Sequence, residues 1–114
     1  MVETDDTGGH DHGWMSTEYL AQTANAIDCV EKVFQIASEH YNIIVTADHG
    51  GHDRTHGTDC AEDMTIPMFF WGDGFAQGAQ MENISLLDIA PTVASLMGVA
   101  PEKEWEGRAL KTMM

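Results

Sequence analysis

The fold is decided by the stretch Asn42-Ile43-Ile44-Val45-Thr46-Ala47-Asp48-His49-Gly50-Gly51-His52. Its apolar part is a continuous β-branched run, which is typical of a strand covered on both faces. We therefore predict a central, parallel strand at 42–47. The polar, glycine-bearing loop that follows covers residues 48–64. A loop of that length inside a compact domain usually carries function, so the chemistry of the protein is expected there.

Upstream of this strand, the sequence predicts an amphipathic helix over about 16–39, because apolar residues recur at spacings of three and four. Ser16 is a suitable N-cap, and Glu18 suits the positive end of the helix dipole. The expected apolar stripe consists of Leu20, Thr23, Ile27, Val30, Phe34 and Ala37.

Downstream, a second strand is predicted at 66–71 and a second helix at about 86–97. Ser85 or Asp88 is suited to cap that helix, and Gly98 is suited to end it. Helices alternating with buried strands predict an α/β fold, here a partial doubly wound, mainly parallel sheet with flanking helices.

The chain of 114 residues carries 19 Asp and Glu against 5 Lys and Arg, a formal charge of −14. A surface this acidic repels nucleic-acid polymers and anionic membrane surfaces, so neither is an expected partner, and any phosphorylated ligand would need a metal. The two cysteines, one in the predicted helix and one in the loop, are expected to be free thiols.

The connection at the amino terminus indicates a missing piece. A strand should precede the first helix and end near Asp5, yet only four residues come before that position. We therefore expect residues 1–114 to be a single domain that forms the carboxy-terminal part of a larger catalytic domain. A missing amino-terminal half, or a homo-oligomer, would then cover the open sheet edge. The sequence does not predict the cellular compartment.

Histidines concentrate in two segments, residues 5–13 and 48–57, which hold five of the six. Both segments follow strand ends of one crossover unit, so we expect them to meet at one edge of the sheet. Mixed carboxylate and imidazole donors suit Zn²⁺, Mn²⁺ or Fe rather than Ca²⁺. The alternative is that these residues are ordinary solvated turn formers. The tryptophans, Trp14 among them, are expected to serve packing.

Several motifs occur in a fixed order along almost the whole chain. They are Asp6-Thr7-Gly8-Gly9-His10 followed by Gly13, Ser16 and Glu18-Tyr19; Thr46-Ala47-Asp48-His49-Gly50; His56-Gly57; Ser85 to Thr92; and Gly107-Arg108-Ala109-Leu110. Together they resemble the alkaline phosphatase superfamily, in particular its type I phosphodiesterase/nucleotide pyrophosphatase branch.

The resemblance implies a hydrolase of phosphate esters that holds two divalent metal ions, zinc or else manganese, for an in-line displacement at phosphorus. Asp6, His10 and His56 match the ligands of one metal, and Asp48 with His49 match part of the second. The implied substrate is a small-molecule phosphate ester or nucleotide. Sulfatases and metal-dependent phosphomutases are the nearest alternative enzymes.

The resemblance also leaves gaps. The family's nucleophile comes from a stretch that has no counterpart here, and no Thr near the ligands stands at a strand-to-helix turn, so no catalytic residue is assigned. A noncatalytic metal-binding module is therefore a second hypothesis. His52 competes with His56 as a ligand, and Cys60 falls where phosphopentomutase-like relatives carry a ligand histidine. The nearby threonines are Thr4, Thr7, Thr55 and Thr58.

Overall fold

The computed structural model describes residues 5–110, with the backbone alone at 5–7. The chain divides between Phe69 and Phe70 into two compact units. The strand expected to end near Asp5 lies outside the described residues, as does Thr4. From Asp5 to His10 the backbone forms a π-helical turn.

The amino-terminal unit contains the predicted long helix, α1, over Thr17–Ala37. Ser16 is its N-cap: the side-chain oxygen accepts a hydrogen bond from the Tyr19 amide at 3.1 Å. The Ser16 hydroxyl in turn donates to the Gly13 carbonyl at 2.6 Å. The same side chain thus starts the helix and fixes the turn before it.

A two-stranded sheet pairs β1, Ile43–Thr46, with β2, Met68–Trp71. The hydroxyl of Thr46, at the end of β1, donates to the carbonyl of Pro67, just before β2, at 2.8 Å. The end of one strand therefore meets the start of the other, and the pair is antiparallel. The β-branched run of β1 had predicted a parallel strand. The prediction was wrong for this pair because the intervening loop reverses the chain without a crossover.

That loop contains a short helix, α2, over Ala61–Met64. An isolated antiparallel bridge joins His52 and Thr55 within it. Residues 48–64, predicted as irregular, are thus organised by two local elements.

The carboxy-terminal unit begins its helical part with a 3₁₀ turn, Leu86–Asp88, which continues into α3, Ile89–Leu96. Ser85 is the N-cap of a capping box, in which its side chain accepts from the Leu87 amide. Gly98 follows the helix with φ at +69°, a left-handed conformation that glycine adopts without strain. The predicted cap and stop are both confirmed.

Polar side chains hold this unit together. The buried Asp88 carboxylate accepts from the backbone amides of Ser85 and Arg108, each at 2.9 Å. The buried Thr92 hydroxyl donates to the Asp88 carbonyl at 2.6 Å and accepts from the Leu110 amide at 3.1 Å. The closing segment is therefore anchored to the start of α3 by hydrogen bonds as well as by burial of Leu110.

The apolar stripe expected on α1 is only partly covered. No residue of α1 is buried among those the structure describes, and the side chains of Leu20 and Ile27 are 48% and 62% exposed. In the described part of the chain, no helix combines the length and the apolar character needed to cross a bilayer.

Candidate metal centre

The loop after β1 is folded back onto α2 by two glycines. The Gly50 amide donates to the Asp63 carbonyl at 2.7 Å, and the Gly51 amide donates to the Glu62 carbonyl at 2.9 Å. A Cβ atom at position 50 would lie 2.0 Å from the Glu62 carbonyl oxygen. Only glycine fits there, so the turn that follows Asp48 and His49 depends on that residue.

Trp14 joins the two histidine-bearing segments. Cβ atoms at Gly9 and Gly51 would come within 2.6 Å and 2.1 Å of its ring, so one glycine from each segment makes room for the indole. The Trp14 amide also donates to the Asp53 carbonyl at 2.6 Å. The ring meets His10 edge-on, with centroids 5.3 Å apart.

Three of the predicted ligands come together as a result. The His49 and His56 rings stack with centroids 3.7 Å apart and planes inclined by 14°. The His10 and His56 rings are tilted, with centroids 5.1 Å apart. Histidines from two segments that the whole of α1 separates in the sequence thus lie in one cluster.

Backbone carbonyls set the orientation of two of these rings. His10 Nδ1 lies 2.9 Å from the Arg54 carbonyl oxygen, and His49 Nδ1 lies 2.6 Å from that of Gly50. A carbonyl oxygen only accepts, so each Nδ1 carries the proton, and in the neutral ring the lone pair resides on Nε2. Metal-binding histidines are commonly held in this way by a second hydrogen bond.

The two predicted carboxylate ligands are Asp48, whose side chain the structure describes, and Asp6, of which it describes only the backbone. Asp48 Oδ1 lies 3.8 Å from His49 Nε2, on the side of the ring that carries the lone pair, and the Asp48 side chain is 87% exposed. These two side chains can therefore face one ion from adjacent positions. The backbone of Asp6 belongs to the Asp5–His10 turn, but its side chain lies outside the described residues.

The donor set fits a divalent transition metal. The rings of His10, His49 and His56 lie together beside the solvent-facing Asp48 carboxylate, and imidazole with carboxylate is the combination that zinc and manganese sites use. The surplus of acidic residues in the chain adds a field that attracts cations.

His52 belongs to a different arrangement. Its Nδ1 donates to Asp63 Oδ1 at 2.7 Å, whereas His56 is the one that lies against His10 and His49. Asp63 is only 3% exposed, and its other oxygen accepts from the Thr58 hydroxyl at 2.6 Å and the Thr58 amide at 2.8 Å. The hydrogen bond to Asp63 raises the pKa of His52 above 6.5. The bonds from Thr58 and His52 hold the pKa of Asp63 well below its ordinary value.

Sequence reasoning assigned Trp14 to packing without placing it between the two histidine-bearing segments, and it missed the role of Asp63. For Trp14, the available signal was a glycine beside each group of candidate ligands, because paired glycines leave room for a large ring. For Asp63, the signal was weaker: it is one of several acidic residues in a polar loop, and only the fold shows that its carboxylate is buried and bonded to both ends of the segment that carries His56.

Comparison with known proteins places the chain in a family. The family model described as the Metalloenzyme superfamily matches residues 1–101. A 2,3-bisphosphoglycerate-independent phosphoglycerate mutase of Francisella tularensis subsp. tularensis is 31% identical over 111 residues, which cover 91% of this chain and 20% of that protein. The corresponding mutase of Francisella philomiragia is 29% identical over the same length.

A mouse protein, GPI ethanolamine phosphate transferase 1, is 30% identical over 121 residues, covering 82% of this chain and 13% of its own length. The chain spans about a fifth of the length of the mutases it matches. The predicted α/β class and the predicted alkaline-phosphatase-like superfamily are both confirmed by the family match. The chain belongs to the Metalloenzyme superfamily, whose model covers all but its last thirteen residues.

Proposed function

We propose that this chain supplies the metal-binding part of an enzyme that hydrolyses phosphate esters with the help of two divalent cations. The observation that supports it best is the cluster of His10, His49 and His56, in which two rings have Nδ1 committed to a backbone carbonyl. A solvated loop of turn formers would have no reason to orient separate imidazoles alike.

In this proposal Asp6, His10 and His56 hold one ion, and Asp48 with His49 contribute to the second. Zinc suits the imidazole-rich donor set, and manganese is the alternative. A pair of bound cations supplies positive charge that stabilises the attacking and leaving oxygens of an in-line displacement at phosphorus.

Backbone carbonyls and one tryptophan around the cluster have supporting roles. The Arg54 and Gly50 carbonyls hold the proton on Nδ1 of His10 and His49, so Nε2 is the nitrogen of each ring that would bind the metal ion. Trp14 fixes the spacing of the two segments through its contacts with Gly9 and Gly51. With a formal charge of −14, the metal-free chain should repel a phosphate ester.

No residue of the described chain is proposed as the nucleophile. The Thr58 hydroxyl is bound to Asp63, and the Thr55 hydroxyl lies 3.5 Å from the carbonyl oxygen of His56. Asp63 is a weak base for Thr58, because hydrogen bonds hold the pKa of Asp63 well below its ordinary value, and the His56 carbonyl does not activate Thr55.

A phosphomutase is the second candidate, and the similarity to phosphoglycerate mutases favours it. Such an enzyme would return the phosphoryl group to its substrate, whereas the phosphodiesterase and nucleotide pyrophosphatase type would pass it to water. A noncatalytic module, in which the same histidine cluster binds an ion without any phosphoryl transfer, is the third candidate. A sulfatase has no support among these relatives.

The test uses the purified chain loaded with Zn²⁺ or Mn²⁺. An aryl phosphate monoester, an aryl phosphate diester and 3-phosphoglycerate are offered in parallel, and His56→Gln is the matched variant. Hydrolysis predicts aryl alcohol release above a metal-only control, and at least tenfold less with the variant. Isomerisation of phosphoglycerate without phosphate release would favour the mutase. Equal rates above the metal-only control with and without His56 would refute both enzymatic proposals, and equal zinc affinity of the two proteins would refute metal binding by His56.

A further inference from the structure

We propose that His52, Cys60 and Asp63 form an additional binding site for a thiophilic divalent cation such as Zn²⁺, separate from the cluster of His10, His49 and His56. One potential ligand atom from each of the three residues lies within 4.8 Å of the other two. A thiolate, an imidazole and a carboxylate together are a donor set that zinc accepts in proteins. This inference does not depend on the proposed phosphoryl transfer.

Asp63 and Cys60 both approach the same atom of His52, its Nδ1. His52 Nδ1 lies 2.7 Å from Asp63 Oδ1 and 3.6 Å from Cys60 Sγ. In the hydrogen-bonded state the single Nδ1 proton is committed to the closer carboxylate, and the longer contact of 3.6 Å places the sulfur beside the same nitrogen. A cation in place of that proton would engage all three groups at once.

The distances are close to those of a tetrahedral zinc site. Bond lengths of about 2.3 Å to sulfur and about 2.0–2.1 Å to nitrogen and oxygen give ligand separations of roughly 3.6 Å for sulfur to nitrogen and roughly 3.4 Å for nitrogen to oxygen. The Cys60 to His52 separation of 3.6 Å already matches. The His52 to Asp63 pair, at 2.7 Å, must open by about 0.7 Å, which side-chain rotation of the half-exposed His52 allows.

Thr58 prepares the carboxylate for this role. Its amide and hydroxyl both donate to Oδ2 of Asp63, so Oδ1 is the oxygen presented to His52. Partners of this kind orient first ligands in metal sites and raise affinity. The Asp63 side chain is buried, while 34% of the His52 side chain is exposed, so an ion can enter from the His52 side and keep a water as its fourth ligand.

The alternative is a hydrogen-bonded network that binds no metal and only organises the loop. The two possibilities differ in whether the Cys60 sulfur bonds to a cation. A cation at the proposed site bonds to a thiolate, whereas the cluster of His10, His49 and His56 contains no cysteine.

Cobalt(II) titration of the full chain separates them, because a thiolate bound to cobalt gives a sulfur-to-metal charge-transfer band in the near ultraviolet. We expect the band in the unsubstituted protein and in Cys29→Ser, the matched control at the other free cysteine. Cys60→Ser should lose the band and bind this cobalt ion at least tenfold more weakly. His56→Gln should keep it, which distinguishes this site from the candidate metal centre.

Absence of the band from the unsubstituted chain at saturating cobalt would overturn the proposal, and so would a band that survives in Cys60→Ser. Circular dichroism of each metal-free variant checks that the fold is retained. Should Cys60→Ser fail to fold, Asp63→Asn gives the second test, since it keeps the size of the side chain and removes its charge. We expect that variant to weaken the band at a given cobalt concentration by at least tenfold in apparent affinity.

Discussion

Substitution of Gly50 by alanine tests how the loop holds its histidines. The new Cβ atom would lie 2.0 Å from the Glu62 carbonyl oxygen and 2.9 Å from that of Thr65. To reach an ordinary contact distance, the Glu62 carbonyl must move by roughly 1.4 Å, and the backbone of α2 moves with it. No left-handed φ is involved at position 50, so the effect is steric.

The displacement breaks the two hydrogen bonds that join the turn to α2, from Gly50 to the Asp63 carbonyl and from Gly51 to the Glu62 carbonyl. At a net value of about 0.5–1.5 kcal/mol each, we expect the free energy of unfolding to fall by about 1–3 kcal/mol. The Gly50 carbonyl also holds Nδ1 of His49. Its movement should therefore weaken zinc binding at least tenfold, as the loss of an outer partner commonly does.

Urea denaturation of the metal-free chain measures the first effect, and competition with a chromogenic chelator measures the second. Gly78→Ala is the matched control: position 78 has φ at +74° and open space where a Cβ atom would stand, so alanine adds backbone strain of about 1–2 kcal/mol but no clash. Zinc affinity should be unchanged in this control. A Gly50→Ala variant with wild-type stability and wild-type zinc affinity would refute the reasoning.

Three further predictions concern single side chains. Thr92→Val keeps the shape but removes both hydroxyl bonds, to the Asp88 carbonyl and from the Leu110 amide, and should lower the free energy of unfolding by about 1–3 kcal/mol in urea denaturation. Ser16→Ala removes the N-cap of α1 and should cost about 1 kcal/mol, measured the same way, with Ser16→Thr restoring most of it. In the metal-free chain, NMR titration should give His52 a pKa above 6.5, returning toward 6.5 in Asp63→Asn; an unchanged pKa would contradict the pairing. Because that pKa is raised on folding, the contribution of His52 to stability is complete below about 6.5 and is lost as the pH rises through the folded value. The pKa of Asp63 is lowered on folding, so the pH dependence is the reverse. The stability that Asp63 contributes is present at pH values above the ordinary pKa of an aspartate and is lost as the pH falls through the folded pKa.

Local sequence signals predicted the elements well where the physical cause is local. Ser16 and Ser85 cap helices because a short hydroxyl side chain reaches the next amides, and that chemistry is visible in the sequence. The direction of β1 against β2 was not predictable in the same way. A β-branched run indicates burial, but strand direction is set by the path of the connecting loop, which depends on the contacts of Gly50 and Thr46 with residues far along the chain.

The candidate site shows the same division. That the segments around His10 and His49 would meet was predicted because both were expected to follow strand ends of one crossover unit, and the rings of His10, His49 and His56 do lie together. The choice between His52 and His56 could not be made from spacing, since both are in one loop. It depends on the buried carboxylate of Asp63, which binds His52, and burial of a single acidic residue among many has no signature in the sequence.

The proposed function depends on metal binding by His10, His49 and His56, with Nε2 as the ligand atom of His10 and His49. Anomalous diffraction at the zinc edge, from crystals of the zinc-loaded chain, tests it most directly. We expect anomalous peaks within about 2.0–2.1 Å of Nε2 of His10 and His49 and of a ring nitrogen of His56, with the Nδ1 bonds of His10 and His49 to backbone carbonyls retained. Full zinc occupancy elsewhere on the chain, with no peak within bonding distance of any of the three rings, would contradict it.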